Sequence, residues 1–228
     1  ITELKRYKNE LARLDRSNLI GQMAAGIGHE IRNPMTTVRG FLQLLMEKDQ
    51  YTDDLEILEL MVAELDQANS IITDFLSLAK TRHADLKRQS LNQKIRNLYP
   101  LIQAHALKQD KQIKIELGDI PFIVIDKNQI HQLLLNLVYN GLDAMPPGGC
   151  LTIRTFREGE GVTLAVTDQG GLIPPEVLEK IGTPFFTTKE DGVGLGLAIC
   201  NNIAHRHMAV IDIENDSTGT TFYVRFKA

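Results

Sequence analysis

Gly28-His29-Glu30-Ile31-Arg32-Asn33-Pro34 lies inside an apolar stripe of helical spacing, and that stripe decides how the first third of the chain folds. Leu4, Tyr7, Leu11 and Leu14 recur at steps of three and four, Met23, Ile27 and Ile31 continue at four, and Val38, Phe41, Leu42 and Leu45 close the run. The pattern predicts one helix of about 45 residues, roughly 65 Å long at about 1.5 Å per residue. A second amphipathic stretch runs from Asp53 to His83, with Leu58, Met61, Leu65, Ala68, Ile72, Phe75 and Ala79 on one stripe and Asp53 and Glu56 spaced as a capping box. The polar link Glu47 to Thr52 is short, so the two helices are expected to form an antiparallel hairpin. Two helices leave too much apolar surface in water, and a symmetric dimeric four-helix bundle is the expected remedy.

Within the first helix, His29 and Asn33 share a face and Glu30 is rotated by about 100°. Pro34 leaves the Glu30 carbonyl without its N–H partner, so a kink is expected beside His29. An imidazole with an ordinary pKa of about 6.5 is substantially neutral near pH 7, which frees one ring nitrogen as a nucleophile. Glu30 is then the candidate base. A helical histidine facing solvent is by itself an ordinary surface residue; the company of Glu30, Arg32, Asn33 and Pro34 carries the reading. The zinc-protease pattern HExxH is excluded because position 33 is Asn.

Beyond Lys80 to Ser90, read as a charged connector, the periodicity changes, and a boundary between 1–85 and 86–228 is expected. Ile113 to Leu117 and Phe122 to Ile125 read as strands, and Asp126 to Ala144 as a helix capped by Asp126 and Gln129, with Ile130, Leu133, Leu134, Leu137 and Val138 facing a core. Pro146-Pro147-Gly148-Gly149 ends it. Leu151 to Phe156 and Val162 to Thr167 alternate around a Gly-containing turn as a hairpin. A helix near Pro175 to Ile181, a Gly-rich loop, a helix from Leu195 to His207 and two strands about Asn215 to Gly219 complete an α/β layer.

The chain has 228 residues, 43% hydrophobic and 24% charged, enough for one large or two modest cores. A net charge of -4 with no Lys/Arg run gives no footprint for nucleic acid or an anionic membrane. Cys150 and Cys200 lack the spacing of a disulfide framework or zinc site, which fits a reducing compartment. No apolar run reaches the roughly 18 residues of a membrane span. The first residue is Ile1, so a fragment of a longer protein is expected, cytoplasmic in this part, with any sensor or membrane anchor upstream.

Asn136 and Asn140 lie one helical turn apart with Asp143 close to the same side, and amide oxygens plus one carboxylate suit Mg²⁺. Asp168 ends an apolar strand before Gly170, where a carboxylate can accept from an amino group of a base. Gly192-Val193-Gly194-Leu195-Gly196 leads into an apolar helix whose first N–H groups can cradle phosphate, with Lys189 upstream to neutralise it. Each signal alone also describes an ordinary polar face, turn or loop.

Taken in order, these residues resemble a sensor histidine kinase, with a likeness to the sporulation-initiating kinases of spore-forming Gram-positive bacteria. His29 to Pro34 is similar to that family's H box, Asn136 to Asn140 to its N box, and Asp168-Gln169-Gly170 to its first glycine box. Pro184 to Lys189 is similar to the F box, Gly192 to Gly196 to the second glycine box, and Gly219 to Phe222 to the last nucleotide motif. The resemblance implies a dimerisation and phosphotransfer hairpin followed by an α/β sandwich of the gyrase B, Hsp90, histidine kinase and MutL type. It implies that His29 takes the γ-phosphoryl group of ATP with help from Glu30, and that Asn33 orients water for the reverse phosphatase reaction. Asn140 would hold Mg²⁺, with Asn136 near the phosphates and Asp143 among the nucleotide-binding residues. Asp168 and Gly170 would meet adenine with Thr220 supporting through water, and Lys189 with Gly192, Gly194 and Gly196 would hold phosphates. The phosphoryl group would then pass to an aspartate of a response regulator. A small inhibitor protein on the hairpin is a further conceivable partner that no residue identifies. Leu172 departs from the pattern, standing where a second glycine is expected; its side chain could crowd the nucleotide or shift the lid, and because Asp168 and Gly170 remain, ATP binding is expected to be retained in weakened form. An ATPase clamp of the gyrase B kind would leave the hairpin unexplained, and a scaffold without nucleotide chemistry would leave the glycine boxes unexplained.

Overall fold

A computed structural model describes residues 31–79, 84–189 and 192–227. The chain divides into two compact units, Ile1–Arg82 and His83–Ala228.

In the first unit, helix α1 covers 31–46. The expected start near Leu4 and the Glu30 carbonyl behind the proline kink lie outside the described residues. A 3-10 turn, Asp49–Asp54, leads directly into α2 (Leu55–Ala79). The capping box expected of Asp53 and Glu56 is therefore corrected: Asp53 sits inside the turn, and the Leu55 N–H already donates to Thr52 O. The two helices are antiparallel. Arg32 Nη2 donates to Thr73 Oγ1 at 3.1 Å, and seven residues on, Arg39 grips Asp66, seven residues back on α2, with bonds of 2.7 and 3.3 Å. Leu42, Leu58 and Leu76 are buried, whereas Val38, Phe41, Leu44, Ile57, Leu60 and Met61 are exposed.

In the second unit, strands β2 (Gln112–Leu117), β4 (Cys150–Glu158), β5 (Gly161–Thr167), β7 (Gly219–Phe226) and β6 (Val210–Asp216) form a sheet in the order β2-β4-β5-β7-β6. β2 and β4 run parallel and the other pairs antiparallel. Burial alternates along β2, β4 and β6, whereas the central strand β5 is buried on both faces from Val162 to Val166. Ile153, Val166 and Phe222 stand opposite one another across three strands, as do Leu164 and Val224, and all are buried. Helices α3 (Leu91–Lys108), α4 (Lys127–Ala144) and α6 (Gly196–Arg206) supply the matching apolar faces through Ile95, Ile102, Leu133, Leu137, Ile199 and Ile203. A single turn, α5 (Pro175–Leu178), precedes the glycine-rich loop. Cys150 and Cys200 are unpaired, and burial pushes the Cys200 thiol up to about 12.

Two segments differ from the sequence reading. Lys87–Gln89 of the expected connector is strand β1, paired antiparallel with β3 (Ile123–Ile125); its partner lies 36 residues away, so local pattern gives no sign of it. Residues 91–108, assigned no element, are helix α3, capped by Ser90 Oγ on Gln93 N at 3.2 Å and buried at Leu91, Ile95, Leu98, Ile102 and Ala106.

The start of α4 is a junction. Asp126 caps it as expected, with Oδ1 accepting from Asn128 N and Gln129 N. Its Oδ2 accepts from Asp85 N at 2.8 Å, holding the segment before β1. The reciprocal half of the box is not made: the Asp126 N–H donates to His207 Nε2 at 3.0 Å, and Gln129 Oε1 is buried without a partner. The Ile203 carbonyl, 2.8 Å from Nδ1, can only accept, so Nδ1 carries the proton and the ring is neutral. Burial holds the His207 pKa below its ordinary 6.5, outweighing the Ile203 carbonyl and the nearby Asp126, with Arg206 lowering it further. Below pH 6.5 the unfolded chain binds the extra proton more readily than the fold, so His207 costs the second unit stability as pH falls through that value. Urea melts between pH 7.5 and 5.5 are expected to show this loss, and His207→Gln, which keeps an acceptor but does not titrate, is expected to flatten it.

Candidate nucleotide site

Helix α4 carries the polar face. Lys189 Nζ donates to Asp143 Oδ2 at 2.7 Å and to Asn140 Oδ1 at 3.4 Å, so three of the sequence-selected side chains meet at one point. The ammonium sits where an amide oxygen and a carboxylate oxygen converge, and it stands in for a cation there. That donor set, one neutral and one charged oxygen open to water, fits Mg²⁺, which keeps most of its waters. The pair is about two-fifths exposed on each side, so it breaks easily when a phosphate competes for the lysine. Asn136 serves differently: its Nδ2 donates to Gly196 O at 3.4 Å, tying α4 to the first turn of α6.

One residue after Asn140, and so about 100° round the same helix, lies Gly141. A Cβ there would stand 2.6 Å from Leu151 Cδ1 and 3.2 Å from Asp168 Cβ, so a larger residue would have to push these side chains aside. Asp168 extends β5 by one residue, with its N–H on Thr220 O at 2.9 Å and its Oδ1 accepting from Gly170 N at 2.8 Å. Burial pushes the Asp168 pKa up, against the opposing bonds from Gly170 and Thr220. Gly170 packs against the end of α4, where a Cβ would meet Ala144 at 3.1 Å. Thr220 is buried, and its hydroxyl donates to Asn215 Oδ1 at 3.1 Å. Gly141 and Asn215 escaped the sequence reading. Asn215 had signalled only a turn, and the demand on Gly141 comes from a strand and a loop that α4 meets only in three dimensions.

The glycine loop closes the third side. Gly194 has φ +69, and a Cβ would lie 2.6 Å from Phe186 O; Phe185 N donates to Gly194 O, binding the loop to the segment before it. Gly192 N donates to Lys189 O at 3.2 Å. Helix α6 starts at Gly196 after Leu195, with no side chain capping it, whereas α3 and α4 are both capped. No side chain accepts from its first amides, and such amides suit an anion. Leu172 is 61% exposed. Asn33 is exposed on α1, and its carbonyl accepts from Thr37 Oγ1. His29 and Glu30 lie outside the described residues.

Two family models match the chain. The His Kinase A (phospho-acceptor) domain covers residues 19–84, and the histidine kinase-, DNA gyrase B- and HSP90-like ATPase covers 125–228. Sporulation kinase C of Bacillus subtilis (strain 168) is 34% identical over 235 residues, spanning 98% of this chain and 54% of that protein. Histidine kinase ThkA in complex with the response regulator TrrA is 31% identical, with a TM-score of 0.67 over 99% of this chain and 67% of that one. Full-length ShkA in complex with AMPPNP shares the fold, with a TM-score of 0.82 at 22% identity over 90% of this chain and 45% of that one. The chain thus spans about half the length of sporulation kinase C.

The buried carboxylate sets a stability test. A raised folded pKa means that the unfolded chain ionises more easily, so Asp168 costs stability once pH rises above the ordinary 3.8, and the cost is complete above its folded value. Asp168→Asn keeps an acceptor for Gly170 N without the buried charge. Its Tm at pH 7.5 is expected to rise by a few degrees, about 1 kcal/mol, with the gain shrinking near pH 3.5 while ATP binding is lost.

Proposed function

Since the chain belongs to the histidine kinase family, we propose that it is the dimerisation and catalytic portion of a sensor kinase that phosphorylates His29 from ATP and passes the phosphoryl group to an aspartate of a response regulator. The observation that carries the reading is the buried Asp168–Thr220 pair on one flank of α4, with Asn140, Asp143 and Lys189 gathered on the same helix beside an uncapped α6. Domains 1–85 and 86–228 take the two tasks. The exposed apolar residues of α1 and α2 support a homodimer through a four-helix bundle. The finer assignment, a sporulation kinase and within that group a counterpart of sporulation kinase B, rests on the sequence likeness.

In this mechanism the Asp168 carboxylate accepts from the adenine amino group, and Thr220 supports it through water. The triphosphate reaches the α6 amides and the Gly192, Gly194 and Gly196 backbone. Lys189 leaves Asp143 for a phosphate oxygen, which frees Asp143 and Asn140. Those oxygens would hold Mg²⁺, which when bound neutralises charge on the β- and γ-phosphates. A neutral His29 then donates a ring-nitrogen electron pair to the γ-phosphorus. The bond from that phosphorus to the β–γ bridging oxygen breaks, and ADP leaves with the electron pair. Glu30 accepts or shares the proton on the other ring nitrogen, which keeps the attacking nitrogen electron-rich. Asn33, one turn along the same face, orients water for the reverse hydrolysis. The response regulator and an inhibitor protein are proposed partners on the hairpin, and any membrane attachment belongs to a region outside this chain.

Incubation with Mg²⁺ and γ-labelled ATP is expected to give protein-bound label that survives alkali and is lost in acid, and His29→Gln is expected to carry none. ATP binding without label on the parent would move the reading to a scaffold, and equal ATP hydrolysis by parent and variant without label would move it to an ATPase clamp.

A further inference from the structure

We infer that Asn215 is a positioning residue of the nucleotide site: its carboxamide fixes the Thr220 hydroxyl as an acceptor and latches the loop that follows Asp168. This rests on the nucleotide reading above.

The orientation of the amide follows from its partners. Ile173 N–H can only donate, so the atom 3.1 Å away is Oδ1; Ile173 C=O can only accept, so the atom 2.9 Å away is Nδ2. Thr220 Oγ1 lies 3.1 Å from that same Oδ1, and a carboxamide oxygen cannot donate, so the one hydroxyl proton of Thr220 goes to Asn215. Thr220 therefore faces anything else with lone pairs alone. Asn215 stands opposite Thr220 in the β6–β7 ladder, and Asp168 bonds the Thr220 carbonyl from the end of β5. Residues directly opposite in a sheet share a face, so the three form a row. That face is the one α4 covers, because Asp168 Cβ meets Gly141.

The base edge, or a water in front of it, thus meets two acceptors: a carboxylate oxygen of Asp168 and the Thr220 hydroxyl oxygen. A purine 6-amino group donates and satisfies them, whereas a 6-oxo group sets lone pairs against lone pairs. Releasing Thr220 would let its hydroxyl turn and donate. The same amide ties down Ile173 while Asp168 holds Gly170 N, so Gly171 and Leu172 are pinned at both ends and the Leu172 side chain stays in solvent.

Equilibrium binding of ATP and inosine triphosphate to the whole 228-residue chain tests this. Asn215→Ala is expected to weaken ATP by about three- to tenfold and to shrink the preference for ATP over inosine triphosphate by about tenfold. Asn215→Asp still accepts from Ile173 N–H and from Thr220 but cannot donate to Ile173 O. It is expected to melt lower yet keep the parent preference within about twofold. Asn215→Ala that binds both triphosphates like the parent, or weakens both equally, overturns the inference. If Asn215→Ala does not fold, the Asp variant decides: a kept preference supports the role and a lost one overturns it. A parent that binds neither triphosphate refutes the nucleotide reading itself.

Discussion

The second unit depends on how near α4 comes to the sheet at Gly141. With hydrogen in place of a side chain, the helix settles against Leu151 and Asp168, which brings its polar face beside the end of β5. Asn140 and Asp143 project toward the Lys189 loop, Asn136 reaches the start of α6, and Ala144 meets Gly170. One methyl group at position 141 would need to displace a strand side chain or the carboxylate itself. The polar face of α4 and the row of Asp168, Thr220 and Asn215 at the ends of β5, β7 and β6 therefore lie side by side.

That approach also explains an unfavourable feature. Covering Asp168 removes water from a carboxylate, and the two backbone bonds around it offset only part of the loss. A group that destabilises the free fold becomes favourable when a ligand donates to it, which is the use the proposed function makes of Asp168. The uncapped start of α6 follows the same logic: the α3 and α4 termini are satisfied by Ser90 and Asp126, and the one helix facing the glycine loop is left open.

Asp126 links the pieces behind the site. Its two carboxylate oxygens receive the first turn of α4 and the Asp85 amide, while its own N–H goes to His207 at the end of α6. The two helices that frame the nucleotide site are thereby joined at the end away from it, and the segment leading in from the hairpin is fastened at the same point. A glutamine at position 129 could have closed the cap locally. Instead His207 takes the N–H, and Gln129 keeps a buried oxygen without a partner.

Most elements were legible from periodicity, because burial on one face of a helix or strand writes itself into residue spacing. The α4 face from Ile130 to Val138 and the two hairpins of the sheet follow that rule. So does α3, whose spacing from Leu91 to Ala106 was present but unread. On the helices of 31–46 and 55–79, by contrast, the predicted stripes bury Leu42 and Leu58 but leave Val38, Phe41 and Met61 exposed. Gly194 was legible as a glycine position, and the structure gives the reason: a left-handed φ of +69 and a Cβ that would lie 2.6 Å from Phe186 O. Strand β1 was not, because Lys87–Gln89 has no apolar alternation and is a strand only through its bonds to Ile123–Ile125. The capping of α4 was half legible: Asp126 follows from local spacing, but whether its N–H meets Gln129 or His207 depends on a residue 81 positions away. By itself, then, the sequence determined which faces are apolar and which chemical groups are available. Tertiary structure alone decided which of those groups meet, because hydrogen-bond partners such as Asn215 and Ile173 are chosen by packing between strands and loops that are distant along the chain.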